Sequence, residues 1–253
     1  MTASRRSAAL ARGANLGVMA PTPLRPPAIS DTGEGGPLSV EGRAWPGTFD
    51  APDMVERVWT DFVAALPDPG QRTALRQALA FARARHGAQF RRGSPTPYWV
   101  HLVRVAMELE GWGEASPALL QAALLHDTVE DTRTTLGEIR VGFGAEVADF
   151  VDWLTAPSAP DELPAYYERL RTSAPHEVQV LKIADRVDNL RSIQALVMRT
   201  GERYRHWAGT YLRRTVWQVL PLAAAAPSVA RVALVTAMAD LAPLVDDECF
   251  TDP

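Results

Sequence analysis

Apolar residues recur at helical spacing along most of the chain after residue 52. In the first such segment Val55, Val58, Trp59 and Phe62 share one helical face, and the run ends at a Pro/Gly break over residues 67–70. The same spacing predicts a short helix near Leu136. It also predicts longer helices over residues 71–86, 98–110, 117–126, 145–154, 175–196, 201–226 and 229–244.

The segments between these helices carry residues that interrupt helical structure. Glycine, serine, threonine and proline occupy residues 93–97, and Pro227 separates the last two helices. Prolines at positions 157, 160 and 164 predict a loop. Strand-like alternation of apolar and polar residues is absent. The chain is therefore predicted to be all-α.

The two ends of the chain differ from this helical region. Residues 1–50 hold 6 of the 20 prolines and 7 of the 17 glycines, and such a segment lacks the apolar surface that would offset its backbone entropy. We predict a disordered or loosely ordered arm over residues 1–50 and a single domain over residues 51–247. Residues 248–253 are predicted to form a short tail.

Composition and charge exclude several classes of protein. The net charge of −4, and the lack of any arginine block alternating with aromatic residues, argue against nucleic acid as a partner. No apolar stretch is long enough to span a membrane, and no signal peptide is indicated. Cys249 is the only cysteine, which fits a cytoplasmic protein without disulfides. Lys182 is the only lysine and does not follow glycine, which excludes a phosphate-binding P-loop.

The densest cluster of polar residues in apolar surroundings lies at the end of the helix predicted over residues 117–126. His126, Asp127, Glu130 and Asp131 follow the apolar run of residues 122–125. If the helix continues for one more turn, Glu130 lies above His126 and Asp131 above Asp127. Charges at the end of a buried helix need partners, so this segment is a candidate site.

Two other predicted helices carry residues that fit the same site. One holds His101 on its polar side, and the other has a polar stripe of Lys182, Asp185, Asn189 and Ser192 at spacings of three and four. Together the three helices offer two imidazoles and two carboxylates to a metal ion, from His101, His126, Asp127 and Asp185.

This set of side chains favours hydrolysis at phosphorus. Mixed nitrogen and oxygen ligands suit Mn²⁺, Fe²⁺ or Zn²⁺ better than Mg²⁺, which prefers oxygen ligands alone. Such an ion activates water as a nucleophile at neutral pH. Glu130 and Asp131 are not needed as ligands, so they are candidates for orienting the water and protonating the leaving group.

The same residues also have structural interpretations. His126 and Asp127 can be read as a helix cap, and His101 as a core histidine. Asp185 can be read as part of a buried ion pair. The arginines at positions 83, 85 and 91 are interpreted as surface residues, and the tyrosines as packing residues. His86 is expected to brace the turn that follows it.

Five ordered segments resemble the HD-domain hydrolases of the RelA/SpoT homologue superfamily, in particular the stand-alone small alarmone hydrolases. The segments are residues 86–92, 97–106, 123–132, 143–148 and 181–191, within a resemblance that covers about residues 71–225. It implies an all-α HD-domain bundle. It also implies removal of the 3′-pyrophosphate from guanosine tetra- or pentaphosphate, with Mn²⁺, to give GDP or GTP.

The resemblance also implies roles for individual residues. The family's metal ligands are matched by His101, His126, Asp127 and Asp185, and its catalytic acid pair by Glu130 and Asp131. Positions that bind substrate are matched by Arg92, which would pack on the nucleobase, and by Lys182, Asn189, Tyr204 and Tyr211.

Three positions depart from the family pattern. Gly93 and Ala156 stand where relatives commonly have basic residues, and Asp188 stands where long members often have histidine. The loss of two cations leaves adenosine 3′-pyrophosphates, or the 2′-phosphate of NADPH, as alternative substrates. A nucleotide-sensing HD module without catalysis is a second hypothesis, which the intact Glu130 and Asp131 argue against. The sequence does not indicate an oligomeric state.

Overall fold

The computed structural model describes residues 51–245, and helices account for its regular structure. No β-strand occurs in this range, which confirms the all-α prediction. A single bridge between Phe90 and Pro97 closes the loop after the second helix. In chain order the α-helices are α1 (Pro52–Ala65), α2 (Pro69–His86), α3 (Trp99–Gly111), α4 (Pro117–Leu125), α5 (Thr128–Asp131), α6 (Leu136–Phe143), α7 (Ala145–Leu154), α8 (Leu163–Ser173), α9 (His176–Thr200), α10 (Arg205–Arg214) and α11 (Ser228–Leu241).

Side-chain caps define where several of these helices begin. The Asp68 carboxylate accepts hydrogen bonds from the first backbone amides of α2, and the Ser116 hydroxyl accepts one from the first turn of α4. Thr135 and Glu138 form a reciprocal capping box at the start of α6. The breaks predicted from proline and glycine therefore coincide with helix starts that the local sequence encodes.

Helix α9 lies at the centre of the fold and packs against α3, α4, α7 and α11. All residues from 180 to 188 on α9 are buried, as are all residues from 100 to 107 on α3. A helix buried over more than two turns has no solvated face, so its charged side chains must find partners inside the protein. The polar residues of α3 and α9 are therefore forced into one buried network.

Two features of the fold differ from the sequence prediction. Helix α8 occupies residues predicted to be a loop, because Pro164 lies in its first turn, where the missing N–H of proline costs nothing. The helix predicted over residues 201–226 is interrupted. Its segments are a 3₁₀ turn (Gly201–Tyr204), α10, a π-helical turn (Thr215–Val219) and a second 3₁₀ turn (Leu220–Ala224). Pro221 cannot continue an α-helix, which accounts for the last change.

The ends of the chain lie outside the described residues, and with them the predicted N-terminal arm (residues 1–50) and C-terminal tail (residues 248–253). Among the helices that are described, none combines the length and apolar character needed to cross a membrane.

Candidate active site

Three segments far apart in sequence bring two imidazoles and two carboxylates together. His101 comes from α3, His126 and Asp127 from the junction of α4 and α5, and Asp185 from α9. The Nε2 atom of His101 lies 3.5 Å from an Asp127 oxygen and 3.4 Å from an Asp185 oxygen. The Nε2 atom of His126 lies 3.1 and 3.8 Å from the same two oxygens. His101, His126 and Asp185 therefore offer ligand atoms that all lie within 4.8 Å of one another. Asp127, the fourth predicted ligand, lies beside this cluster through its contacts with both histidines.

The hydrogen bonds of the two histidines fit metal binding. The Nδ1 of His101 lies 2.6 Å from Oδ2 of Asp188, and the Nδ1 of His126 lies 2.8 Å from the carbonyl oxygen of Ala123. With Nδ1 engaged in this way, Nε2 is the atom that each ring turns toward the centre. Both Nε2 atoms are buried without a hydrogen-bond partner. A divalent cation supplies the partner that both atoms lack, so the donor set fits such an ion.

The pKa shifts of the residues at this centre also favour binding of a cation. Burial by itself would lower the pKa of His126, but the Asp127 and Asp185 carboxylates raise it well above its ordinary value. Burial alone would raise the pKa of Asp185, yet Lys182 and the two histidines hold it well below its usual range. The carboxylates therefore stay ionised and create a negative potential that attracts a cation.

A short break in the helix positions the acidic residues. Helix α4 ends at Leu125, and α5 starts at Thr128 rather than continuing α4 as the sequence suggested. The Thr128 hydroxyl donates to the carbonyl of Leu125 at 2.6 Å, and the backbone N–H of Asp131 donates to the carbonyl of Asp127 at 2.8 Å. Asp127 thus faces the metal ligands while the turn after it carries Glu130 and Asp131.

The predicted acid pair lies at the solvent side of the centre. Oε2 of Glu130 accepts a hydrogen bond of 3.0 Å from the backbone N–H of Ala156. The Asp131 carbonyl accepts one of 3.0 Å from Gln89, whose Oε1 lies 2.8 Å from Nδ1 of His86. Partial burial raises the pKa of Glu130, although the Ala156 hydrogen bond and Lys182 oppose this change. Partial burial and then the Asp127 carboxylate raise the pKa of Asp131. A raised pKa suits groups that exchange protons near neutral pH.

The single lysine of the protein lies within this centre. Lys182 is 8% exposed, and its Nζ lies 3.1 Å from Oδ2 of Asp185. The ion pair considered from the sequence is therefore present, and it leaves the other Asp185 oxygen facing both histidines. Lys182 contacts the predicted ligand Asp185, so it lies beside the metal centre. It is not among the residues that line the neighbouring cavity.

A cavity of about 450 Å³ adjoins the metal centre. Its lining residues include Arg91, Asn189 and Tyr98, which also form its boundary with the centre. Arg91 donates to Oδ1 of Asn189 at 2.5 Å, and the Asn189 amide donates to Asp185 at 2.5 Å. The Tyr98 hydroxyl donates to Asp127 at 2.7 Å. Hydrogen bonds thus connect the cavity wall directly to two predicted ligands.

Arg91 is a residue that the sequence pattern placed on the surface and the structure places in the site. The cavity also contains Arg92 and Arg199, so three guanidinium groups line it, although cations are absent at Gly93 and Ala156. The signal available in the sequence was the proximity of Arg91 to Gln89, which bonds the Asp131 carbonyl. The cation deficit inferred from the sequence is therefore offset by arginines at other positions.

Aromatic side chains also line the cavity. The guanidinium carbon of Arg92 lies over the ring of Trp207, 4.8 Å from its centroid, at a distance typical of a cation–π contact. Tyr211 lines the cavity, whereas Tyr204 is not among its lining residues. The Tyr204 hydroxyl lies beside Gly93, where an added Cβ would approach it to 2.9 Å. Gly93 also has a φ of 64°, so no other residue fits that turn without strain.

Comparison with known proteins identifies the family. A family model described as the HD domain matches residues 78–211, which is more than half of the chain. The chain therefore belongs to the HD-domain family.

Relatives with known names indicate which members of the HD-domain family this chain is similar to. A guanosine-3′,5′-bis(diphosphate) 3′-pyrophosphohydrolase MESH1 from Xenopus tropicalis is 42% identical over 128 residues, which is 47% of this chain and 68% of that protein. The human MESH1 is 41% identical over 126 residues, or 47% of this chain and 69% of that protein. These relatives confirm the resemblance to RelA/SpoT-type hydrolases.

Longer relatives and a solved structure agree with this assignment. A guanosine-3′,5′-bis(diphosphate) 3′-pyrophosphohydrolase from Aquifex aeolicus is 35% identical over 130 residues, and the match spans 49% of this chain but only 18% of that protein. A solved structure described as a metazoan ortholog of SpoT that hydrolyzes ppGpp superposes with a TM-score of 0.57. It is 26% identical and covers 69% of this chain and 97% of that one.

The buried lysine gives a testable prediction. Replacing Lys182 with arginine puts a larger planar group into a filled site, so we expect Lys182→Arg to lower the free energy of unfolding by about 1–3 kcal/mol. Urea denaturation measures this change. The matched control Arg85→Lys, on the surface, is expected to stay within about 0.5 kcal/mol of the parent. Unchanged stability and activity in Lys182→Arg would mean that position 182 tolerates either cation.

Proposed function

We propose that this chain hydrolyses the 3′-pyrophosphate of guanosine tetra- or pentaphosphate, with Mn²⁺, releasing pyrophosphate and GDP or GTP. The observation that carries the proposal is the pair of buried, unpartnered Nε2 atoms of His101 and His126, clustered with the Asp185 carboxylate beside an arginine-lined cavity. Relatives that share the HD domain carry the name of this activity.

The metal belongs to the proposal because the donor set suits it. His101, His126, Asp127 and Asp185 would hold the ion, and two imidazoles with two carboxylates favour Mn²⁺, Fe²⁺ or Zn²⁺ over Mg²⁺. When bound, the ion supplies Lewis-acid activation of water and neutralises charge on the phosphate. Side chains of the protein would transfer the protons and bind the nucleotide.

Glu130 and Asp131 are the groups proposed to move protons. In the reaction a water oxygen bonds to the phosphorus attached to the 3′-oxygen, and the bond between that phosphorus and the 3′-oxygen breaks. One carboxylate takes the proton that water loses, and the 3′-oxygen receives a proton as it leaves. The Ala156 amide and Gln89 fix the two acidic residues at the mouth of the centre. The raised pKa of each acid supports this role.

The cavity is proposed to hold the nucleotide. Its volume of about 450 Å³ falls in the range of small-molecule sites. Guanidinium groups of Arg91, Arg92 and Arg199 suit phosphate oxygens, and the rings of Trp207 and Tyr211 offer flat surfaces to a base. Asn189 bridges Arg91 and Asp185, so it would set the distance between the nucleotide and the metal.

The direct test is release of pyrophosphate from guanosine tetraphosphate by purified protein with Mn²⁺. We expect turnover by the parent protein, and loss of turnover in Asp127→Ala, because this change removes a carboxylate shared by both histidines. Ion-exchange chromatography of the products measures the reaction.

A panel of substrates separates the alternatives within the same assay. It includes adenosine 3′-pyrophosphates and NADPH beside guanosine tetraphosphate. Binding of a nucleotide without turnover of any member, in protein loaded with metal, would favour a sensing module and sink the proposed activity. Turnover of an adenosine compound alone would reassign the substrate while leaving the hydrolase class intact.

The acid pair gives a second prediction. Glu130→Gln keeps the shape of the side chain and its acceptor for the Ala156 amide but removes the ionisable group. We expect kcat to fall about 10²- to 10⁴-fold, while Mn²⁺ affinity stays near that of the parent, because Glu130 is not a ligand. Glu146→Gln, an exposed change on α7, is the matched control and should retain full activity. A Glu130→Gln protein with parental kcat would remove Glu130 from the reaction.

Arg91 gives a third prediction. Arg91→Met removes the guanidinium that bonds Asn189 on the cavity wall. A lost hydrogen bond to a charged group is worth about 1.5–3 kcal/mol, so kcat/KM is expected to fall about 10- to 100-fold. Arg85→Met, on the same helix–loop region but outside the cavity, is expected to leave kcat/KM unchanged. Steady-state kinetics on guanosine tetraphosphate measures both variants.

A further inference from the structure

A buried carboxylate outside the predicted ligand set contacts one of the ligands. Asp188 is 4% exposed, and its Oδ2 lies 2.6 Å from Nδ1 of His101, which is fully buried. Arg104, 8% exposed, binds both oxygens of Asp188, through Nε at 2.5 Å and Nη2 at 2.9 Å. The same Nη2 lies 2.5 Å from the hydroxyl of Ser192, a residue of the cavity wall.

We infer that Asp188, oriented by Arg104, is a positioning residue that sets the tautomer and angle of His101 for metal binding. The inference rests on the metal centre of the proposed function and is independent of its substrate. It assigns a role to one of the three positions at which the sequence departs from the family pattern. It also accounts for the burial of Arg104 beside the centre.

The geometry supports positioning rather than packing alone. A carboxylate that accepts the Nδ1 proton of a ligand histidine fixes the ring and raises the basicity of the opposite nitrogen. The bidentate contact with Arg104 restricts Asp188 to one orientation, because a guanidinium presents two parallel donors. Asp188 also lies three residues after Asp185 on α9, so one helix delivers both a ligand and the support of another ligand.

The other predicted ligand histidine, His126, is supported by a different kind of hydrogen bond, so the inference applies to His101 only. His126 donates from Nδ1 to the backbone carbonyl of Ala123, three residues earlier in the same segment. That interaction carries no formal charge and needs no other side chain. A change at position 188 therefore removes the support of His101 and leaves the hydrogen bond of His126 in place.

The experiment measures Mn²⁺ affinity in the full chain without substrate, by the electron paramagnetic resonance signal of free Mn²⁺. Asp188→Asn keeps the shape but loses the negative charge, and we expect Mn²⁺ to bind about 10- to 100-fold more weakly. Since no nucleotide is present, the result does not depend on which substrate the protein hydrolyses.

A double variant separates positioning from structural ion pairing. Asp188→Leu with Arg104→Met removes both charges together, and such replacements of buried pairs leave stability unchanged or improved. A purely structural pair predicts parental Mn²⁺ affinity in this protein, whereas a positioning role predicts affinity at least tenfold weaker despite a stable fold. Thermal unfolding followed by circular dichroism checks the fold of each metal-free variant.

An exposed ion pair on two other helices is the control. Arg140 of α6 pairs with Asp149 of α7. Asp149→Leu with Arg140→Met is expected to keep parental Mn²⁺ affinity. Parental affinity in both Asp188→Asn and the double variant would overturn the inference. Tight Mn²⁺ binding by the parent without pyrophosphate release would instead count against the proposed function alone.

Discussion

The burial of α3 and α9 on all sides is the constraint on which the site depends. Neither helix has a solvated face over the stretch where the two pack together, yet both carry ionisable side chains there. An isolated buried charge is too costly to retain, so each must be neutralised by another buried group. The arrangement of His101, Arg104, Lys182, Asp185 and Asp188 follows from this requirement.

Pairing within this buried network leaves polar atoms without partners at the metal centre. Arg104 balances Asp188, and Lys182 contacts one oxygen of Asp185. Two imidazole nitrogens nonetheless stay unpartnered, and the second oxygen of Asp185 faces them with that of Asp127. The buried network has thus kept a defined place for a positive charge, close to the acid pair and to the arginine-lined cavity.

The sequence predicted the ligands more completely than it predicted the cavity. His126, Asp127, Glu130 and Asp131 are close in sequence, so helical spacing alone could relate them. The contact between Arg104 and Asp188 joins residues 84 positions apart, and no periodicity reports such a pairing. Arg91 and Arg92 are adjacent, and only the path of the loop decides that Arg91 reaches Asn189. Helix α8 was missed because proline was taken as a breaker, whereas its position in the first turn made it a start.

The two ligand histidines differ in how their supporting hydrogen bonds can change during evolution. A backbone carbonyl is present whatever side chain occupies position 123, so the support of His126 is insensitive to substitution there. The support of His101 comes from a side chain, and one codon change at position 188 alters its charge. Substitutions among descendants of this sequence can therefore change the hydrogen bond that supports His101. The hydrogen bond that supports His126 stays the same.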